Sequence, residues 1–367
     1  MSQFYKILYV ITRPDLGGAQ SHLRDLLHGF CEQYEVHLAI GKEGALTEAV
    51  KSLPITVHLL PSLVRSINPI KDLLAVNQCE KILQQLQPDL IHAHSSKAGI
   101  VARIAGTKCN IPTIFTAHGW GFSPGTPFLR RQVALVIEKI GARLGDYVIC
   151  VSESDRALAL KLGVGTSEKL VTIRYGIENN PLPLANPEIE PPRLIMVARF
   201  NEQKDQATLL RAITQLKNTK LHLDLVGSGP SLEKCQALAK KLEVSDRVSF
   251  LGDRLDVADL LARSQIFVLS THYEGLPISI LEAMRSRLPV IATAVNGVPE
   301  EVEHNQTGFV VPHDNVEALA SALNELISSS HKRKKMGNEG REKFLREFTQ
   351  EVMLSSIKQL YQSEILQ

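Results

Sequence analysis

Short apolar runs alternate with amphipathic stretches along almost the whole sequence, and no other feature limits the possible folds as strongly. The runs predict seven strands before residue 179, from Lys6–Ile11 to Leu170–Ile173, and six after residue 192, from Arg193–Ala198 to Gly308–Val310. Parallel neighbours need a long return connection, usually a helix. The alternation therefore predicts an α/β chain with doubly wound parallel sheets and crossover helices.

One proline-rich segment interrupts this alternation. Residues 179–192 read NNPLPLANPEIEPP, with five prolines in fourteen positions. Because proline blocks helices and lacks a backbone donor, the segment is interpreted as a linker. It separates a predicted domain of residues 1–178 from a second of residues 193–349, and the total of 367 residues suits two domains.

The composition excludes several classes of protein. The net charge of +2 is too small for the basic face that nucleic-acid binding needs, so no nucleic-acid partner is expected. No stretch approaches the roughly 18 apolar residues of a membrane helix, and the first residues are too short and polar for a signal peptide. The five cysteines are widely spaced without Cys-x-x-Cys, which favours reduced thiols and no zinc site. These features favour a cytoplasmic protein.

Ligands of open α/β sheets bind beyond the carboxyl ends of the strands, so the loops there hold the candidate residues. Gly17 and Gly18 lie between the first strand and the first helix, where free amides suit a phosphate. A tight turn is an equally good interpretation. The sequence Gly227-Ser228-Gly229 follows a later strand and is either a sharp turn or a loop that faces a nucleotide.

Charged residues follow two strands of the second predicted domain. Arg199 and Lys204 come just after its first strand and can converge on one diphosphate, although a solvated surface pair is the alternative. Glu274 and Glu282, separated by seven residues, follow the strand Ile266–Leu269, the first in a loop and the second in a helix. The start of that helix can receive a phosphate. Its apolar sequence predicts burial, where an unpaired acid is costly, and two surface acids are the alternative.

The first predicted domain contains a candidate functional histidine. His118 follows the strand Thr113–Ala117 and precedes a glycine-rich loop. From there it can hydrogen-bond a sugar hydroxyl or assist proton transfer. A lone histidine is more often structural, so both roles stay open.

Taken together, these residues resemble the retaining nucleotide-sugar glycosyltransferases of family 4, which have the GT-B fold. The matching motifs are Gly17-Gly18-Ala19, Thr116-Ala-His118-Gly, Val151-Ser-Glu-Ser, Tyr175-Gly-Ile, Val197-Ala-Arg199 with Lys204, Val226-Gly-Ser-Gly-Pro, Phe250-Leu-Gly, Glu274-x7-Glu282, Asn296-Gly-Val-Pro-Glu300 and Thr307-Gly-Phe. They span nearly the whole chain, and the two glutamates with the Arg/Lys pair are the specific part. The resemblance implies two Rossmann-like domains that face each other across a cleft, with a C-terminal helix of residues 350–367 that crosses back to the N-terminal domain.

The resemblance also implies roles for these residues. Arg199 and Lys204 would bind the donor diphosphate, Glu282 the ribose hydroxyls and Glu274 a hydroxyl of the donor sugar, while His118 would touch the sugar. The implied catalytic residues are therefore His118, Glu274, Arg199 and Lys204. The further implied donor-binding residues are Gly17, Gly18, Gly227, Ser228, Gly229, Phe250, Leu251, Gly252, Gly275, Leu276, Pro277, Ile278, Ser279 and Glu282.

Members of this family work without a metal or another cofactor, because cations and a helix dipole stabilise the leaving UDP. The absence of an Asp-x-Asp motif agrees with this expectation. The sequence offers no evident nucleophile, so the resemblance favours displacement on one face of the sugar, with Glu274 as an orienting acceptor.

The chain departs from the family pattern at three positions. Pro277 and Arg287 stand where glycine is common, and Tyr175 stands where asparagine is common. Pro277 supplies no N–H, so a phosphate would need the amides of Ile278 and Ser279.

The N-terminal domain is expected to hold the acceptor. The segments His94-Ser-Ser-Lys97-Ala-Gly and Leu63-Val-Arg65-Ser-Ile-Asn-Pro resemble the branch that builds bacterial surface polysaccharides and exopolysaccharides, often on lipid-linked acceptors. Arg65, Lys97, Arg130 and Arg131 would then meet an acceptor pyrophosphate or an anionic lipid at the inner face of a membrane. A solvated face is the alternative.

These expectations combine into metal-independent, retaining transfer of a hexose from a UDP-sugar, UDP-glucose or UDP-GlcNAc, to a saccharide or lipid-linked saccharide in polysaccharide biosynthesis. The alternatives are a GT-B UDP-sugar epimerase or phosphorylase, and a phosphorylase would usually need a pyridoxal lysine and a far longer chain. A binding module with a vestigial site is a third interpretation, which the four retained charges disfavour.

Overall fold

The computed structural model describes residues 4–15, 17–124, 126–216 and 220–364. The chain divides into two compact units, Met1–Tyr175 with Gln350–Gln367, and Gly176–Thr349. Residues 365–367, the end of the expected C-terminal helix, lie outside the described residues. No described helix has the length and apolar character needed to cross a bilayer.

The first unit contains a seven-stranded parallel sheet. Its strands are β1 (Lys6–Ile11), β2 (Glu35–Ile40), β3 (Ile55–Leu59), β4 (Leu90–His94), β5 (Thr113–Ala117), β6 (Tyr147–Cys150) and β7 (Leu170–Thr172). The strand order is β3-β2-β1-β4-β5-β6-β7. The helices between them are α1 (Gly18–Phe30), α2 (Ala45–Ala49), α3 (Pro69–Leu86), α4 (Ser96–Cys109), α5 (Phe128–Leu144) and α6 (Glu153–Lys161).

Strand β1 shows how this sheet is covered. Leu8 and Val10 pack into a core cluster with α3 and α4, whereas Ile7, Tyr9 and Ile11 pack into another with α1. Successive side chains point to opposite faces. Helices on both faces therefore explain why the strand is buried and largely apolar from Ile7 to Ile11.

The second unit contains a six-stranded parallel sheet. Its strands are β8 (Arg193–Val197), β9 (His222–Val226), β10 (Val248–Gly252), β11 (Ile266–Leu269), β12 (Val290–Thr293) and β13 (Gly308–Val311). Their order is β10-β9-β8-β11-β12-β13. The helices are α7 (Gln206–Thr214), α8 (Leu232–Lys241), α9 (Val257–Ala262), α10 (Ile278–Arg285), α11 (Val298–Glu301), α12 (Val316–Ile327) and α13 (Ser330–Glu347). Because the order reverses between β8 and β11, the topological switch point of this sheet lies between these strands.

The C-terminal helix α14 (Gln350–Glu364) belongs to the first unit. Its residues Ile357 and Tyr361 are fully buried in the core cluster with α1, and Lys358 Nζ donates to Gln33 Oε1 at 2.6 Å. The expected return of the C-terminal helix to the first domain is confirmed.

The proline-rich segment 179–192 lies within the second unit, which begins at Gly176. Ala185 N donates to Ser286 O at 2.9 Å, and the buried Arg333 donates through Nε to Pro187 O at 2.6 Å. These bonds attach the segment to the ends of α10 and α13.

The predicted parallel, doubly wound sheets are confirmed. All thirteen predicted strands are present, and their ends differ from the prediction by two residues at most. Both sheets pair their first strand with the second and fourth strands of the same sheet. This shared order is that of a Rossmann-like doubly wound sheet.

Candidate functional site

The loops after β8 and β11 meet at the switch point of the second unit. Lys204 and Thr271 form an antiparallel bridge between the two loops. Asp205 N donates to Ser270 O at 3.0 Å. These backbone contacts fix the residues that follow the two central strands, where a parallel sheet binds ligands.

Lys204 and Glu274, two of the predicted site residues, form an ion pair here. The Lys204 side chain is 13% exposed and that of Glu274 is 8% exposed. Gln203 Nε2 also donates to Glu274 Oε2, at 3.3 Å. Charges this far from water need a partner, so the ammonium and the carboxylate stabilise each other.

The other two charged site residues lie on the same loop and on the following helix. Arg199 is exposed and stands five residues before Lys204. Glu282 lies on α10 and is half-buried. Burial raises the pKa of the Glu282 carboxyl, and the charge of Arg285 acts in the opposite direction.

Helix α10 begins at Ile278, the first of the two starts (Ile278 or Ser279) that the sequence suggests, with Pro277 at the N-cap position and no side-chain cap. Ile280 N donates to Pro277 O at 2.9 Å. The amides of Ile278 and Ser279 have no acceptor within the helix, because the first N–H groups of any helix lack one. Gly275 precedes them, and its carbonyl accepts from Gly297 N at 3.2 Å, which attaches the loop to the start of α11.

The glycine turn after β9 packs directly on the loop after β8. Gly227 has φ +129° and Gly229 has φ +146°. A Cβ at either position would come within 2.2 Å of a backbone oxygen, that of Ala198 or that of Phe200. Phe200 N donates to Ser228 O at 2.8 Å. The close approach supplies a structural reason for both glycines, and their role beside a nucleotide stays a prediction.

The end of β10 lies beside this turn. Gly252 O accepts from Gly227 N at 2.8 Å, and the pairing of β10 with β9 shifts register between Phe250 and Gly252. Phe250, Leu251 and Gly252 are half-buried. Phe250, Leu251 and Gly252, which the resemblance implies in donor binding, therefore lie next to the glycine turn.

One buried acid at this site was not predicted. Glu301 ends α11 without exposed surface, and neither carboxyl oxygen has a hydrogen-bond partner in the part of the chain that is described. Burial and the charge of Glu274 raise the pKa of the Glu301 carboxyl well above its usual value, while Lys204 and Lys343 lower it. The motif Asn296–Glu300 stops one residue before Glu301, and nothing in the sequence signals its burial.

In the first unit, His118 belongs to a histidine network. His118 Nε2 lies 3.0 Å from His94 Nδ1, and His118 Nδ1 contacts the Tyr175 hydroxyl. The ring of His22 packs edge-on against His118, with centroids 5.2 Å apart. Both ring nitrogens of His118 are therefore engaged, and Tyr175, one of the departures from the family pattern, is a partner.

Burial keeps this network uncharged near neutral pH. It lowers the pKa of His22 to about 3 and holds the pKa of His94 and of His118 well below the usual range. Burial also raises the pKa of the Tyr175 phenol. The residues come from separate elements, α1, β4 and the loops after β5 and β7, so the sequence did not predict that they meet.

The glycine loop of the first unit precedes α1. Gly17 is extended at the N-cap position, and the first turn of α1 begins at Gly18 without an acidic residue or a side-chain cap. The positive end of the helix dipole is thus not compensated within this turn. The sequence alternatives, tight turn or phosphate loop, both fit this geometry.

A second departure from the family pattern, Arg287, affects the backbone conformation. Arg287, at a position where glycine is common, has φ +68°, in the region that favours glycine. Its Nε donates to Asn338 Oδ1 at 2.6 Å.

Within the described residues, one grouping could hold a metal: His272, His313 and Asp314, at the ends of β11 and β13, with ligand atoms within 4.8 Å of one another. His313 and Asp314 are exposed and lie 2.7 Å apart at their nearest polar atoms.

Comparisons with known proteins match both units. The family "Glycosyl transferase 4-like domain" matches residues 17–176, and "Glycosyl transferases group 1" matches residues 185–343. The chain is 28% identical over 342 residues to the UDP-Gal:alpha-D-GlcNAc-diphosphoundecaprenol alpha-1,3-galactosyltransferase of Escherichia coli, covering 87% of each chain. It is 26% identical over 298 residues to the O-antigen biosynthesis glycosyltransferase WbnH of Escherichia coli, covering 81% of this chain and 83% of WbnH.

A solved structure has the same fold. The crystal structure of Anabaena HepE in complex with UDP and glucose matches 98% of this chain and 100% of HepE, with a TM-score of 0.85 and 22% sequence identity.

Proposed function

Because the chain belongs to the family 4 glycosyltransferases and has the GT-B fold, we propose that it transfers a hexose from a UDP-sugar, UDP-glucose or UDP-GlcNAc, to a saccharide or lipid-linked saccharide. The reaction retains the anomeric configuration and needs no metal. The product belongs to polysaccharide biosynthesis.

The observation that carries this proposal is the Lys204–Glu274 ion pair at the switch point. A nucleoside diphosphate sugar offers a new partner to each member of the pair. Its diphosphate oxygens replace the carboxylate at Lys204, and a sugar hydroxyl replaces the ammonium at Glu274. Complexes of HepE with UDP and glucose support a donor of this kind.

The chemistry follows from where charge develops. As the anomeric bond breaks, negative charge grows on the leaving UDP, and Arg199, Lys204 and the amides that start α10 stabilise it. Losing one such contact typically costs about 2.7–4 kcal/mol of barrier. Glu274 orients the sugar, and the acceptor hydroxyl attacks from the face that the leaving group vacates and passes its proton to the departing UDP oxygen. Glu282 holds the ribose.

His118 reaches the sugar in this proposal by exchanging one hydrogen bond. Its Nε2 would leave His94 and turn to a sugar hydroxyl, while Nδ1 keeps its contact with Tyr175. A neutral imidazole suits this role, since burial holds its pKa well below the usual range.

Two relatives support an acceptor class. One is named for a sugar linked through a diphosphate to undecaprenol, and the other is an O-antigen biosynthesis glycosyltransferase. We therefore propose a saccharide acceptor of surface polysaccharide synthesis, carried on a lipid diphosphate and reached by peripheral association with a membrane.

The test is a product assay. The protein is incubated with UDP-glucose, UDP-galactose or UDP-GlcNAc and a diphosphate-linked N-acetylglucosamine, with UDP release as the readout. We expect acceptor-dependent UDP release and a product whose anomeric proton shows the coupling of the donor. An inverted product contradicts the retaining mechanism, and epimerised sugar without acceptor indicates the epimerase instead.

A further inference from the structure

The first unit carries an apolar groove that its own fold does not fill. The groove lies between α3 and α5, above α4, and has a volume of about 880 Å³. This is the size of a small-molecule binding pocket. Its apolar lining includes Leu73, Val76, Ile100, Ile104, Val133 and Ile137.

Large apolar side chains are exposed along this groove. Leu129 is 77% exposed, Leu73 62% and Val133 40%, and all three line it. The core-facing residues of α5 are others, such as Ala142. Contiguous exposed apolar surface of this kind marks a binding site rather than the packing of the fold.

Two cations stand on the same groove without a partner. Arg65 and Arg130 line it, and within the described residues neither side chain makes an ion pair or a hydrogen bond. Lys97, by contrast, is held by Asp72 at 2.6 Å. Free guanidinium groups match phosphate oxygens in geometry and charge.

Both acids that line the groove are neutralised. Asp72 pairs with Lys97, and the buried Glu138 pairs with the equally buried Arg103 at 2.8 Å. The groove therefore presents apolar walls together with uncompensated positive charge, which fits a molecule that has a hydrocarbon chain and an anionic head.

We propose that this groove binds the hydrocarbon chain of a prenyl diphosphate-linked acceptor, with Arg65 and Arg130 on the diphosphate. The inference rests on the proposed function and names the acceptor class of that enzyme. The alternative is that this surface rests on a lipid bilayer. A bilayer contact needs no concave pocket, and it would also use the exposed Val136 of α5, which is not part of the groove lining.

Farnesyl diphosphate is a suitable probe, since it has the chain and the diphosphate but no sugar. Calorimetry is carried out in saturating UDP, which fills the donor site. We expect Val133→Asp and Arg130→Ala each to weaken binding at least tenfold. Val136→Asp is the matched control, with the same change on the same helix, and should stay within twofold. Leu129→Asp, at a more exposed lining position, replaces Val133→Asp if thermal unfolding shows that variant to be unfolded.

The outcomes separate this proposal from the proposed function. If UDP binds and farnesyl diphosphate does not, the groove proposal is overturned while the transferase stands. If farnesyl diphosphate binds as expected but no UDP-sugar is used, the transferase fails and the groove remains. Equal loss in Val133→Asp and Val136→Asp overturns the proposal in favour of a bilayer contact, and inorganic pyrophosphate binding as tightly as farnesyl diphosphate overturns the role of the chain.

Discussion

Lys204 and Glu274 neutralise each other in an ion pair. Replacing one partner of a buried pair normally leaves the other charge without compensation, which is strongly destabilising. A ligand that enters between them must therefore satisfy both. If the donor displaces this ion pair, a substitution of Glu274 should affect UDP binding and sugar transfer differently.

Glu274→Gln is expected to separate UDP binding from sugar transfer. The amide no longer neutralises Lys204, so UDP should bind at least as tightly as to the parent. Turnover should fall about 10- to 100-fold, because a hydrogen bond to a charged group is worth about 1.5–3 kcal/mol. Calorimetry with UDP and a UDP-release assay measure the two effects.

The control is Glu342→Gln on the exposed side of α13, which should change neither quantity. A tenfold loss of UDP affinity in Glu274→Gln would contradict the displacement of the ion pair.

Glu301 should make the second unit less stable as the pH rises. Its folded pKa lies above its unfolded value, so the folded state binds more protons and stability is lost above about pH 4.5, by about 1.4 kcal/mol for each unit of pKa shift. Glu301→Gln cannot ionise and should lose this dependence. Urea unfolding at pH 5 and pH 8 tests it, and parallel curves for parent and variant would show that Glu301 carries no such shift.

At the scale of single residues, the sequence indicates candidate side chains but not what they contact. Arg199, Lys204, Glu274 and Glu282 are candidates because they follow strands. The ion pair joins residues 70 positions apart, and no local pattern encodes such a contact. Glu301 was missed because a buried, unpartnered acid has no sequence signature.

At the scale of elements, the strands were predictable because both faces of each sheet are covered. Burial on two faces requires apolar residues at consecutive positions, and those runs define the strands. Element ends were predicted less well: the strand predicted over Val248–Phe250 extends as β10 to Gly252. The histidine network was not predictable, since His22 and His94 come from α1 and β4 and meet only in the folded unit.

The histidine network predicts loss of stability in mild acid. Burial lowers the pKa of His22 to about 3, so the unfolded chain binds more protons between that value and about pH 6.5. Stability is complete above pH 6.5 and falls as the pH drops, by about 2 kcal/mol at pH 5 from His22 alone. His22→Phe should lose less stability than the parent between pH 7.5 and pH 5.

Urea unfolding at the two pH values measures this difference. The exposed His331 provides the control, because His331→Gln should behave as the parent does. The same pH dependence in His22→Phe and in the parent would mean that His22 is not held neutral.

At the scale of the whole molecule, both sheets start from the same strand order. The loops that follow the strands therefore lie at the carboxyl edge of each sheet in a similar arrangement. Apolar periodicity and the proline-rich segment were enough to predict two doubly wound sheets. The return of α14 to the first unit came from the resemblance alone, since a terminal amphipathic helix does not indicate which sheet it covers.

Catalysis is expected to need no metal. EDTA should leave UDP release unchanged, because side-chain cations and helix amides stabilise the leaving group. His313→Ala, which removes one of the three residues that could hold an ion, should also retain full turnover. Activity that EDTA abolishes and Mn²⁺ or Mg²⁺ restores would contradict this expectation.

The most direct test of the donor site is UDP binding to Lys204→Ala, measured by calorimetry beside Lys240→Ala, which removes an exposed lysine of α8. Loss of a charge-assisted contact should weaken binding by about 10- to 100-fold in the first variant, and the second should match the parent. If Lys204→Ala binds UDP as tightly as the parent does, Lys204 does not hold the diphosphate and the proposed donor site is wrong.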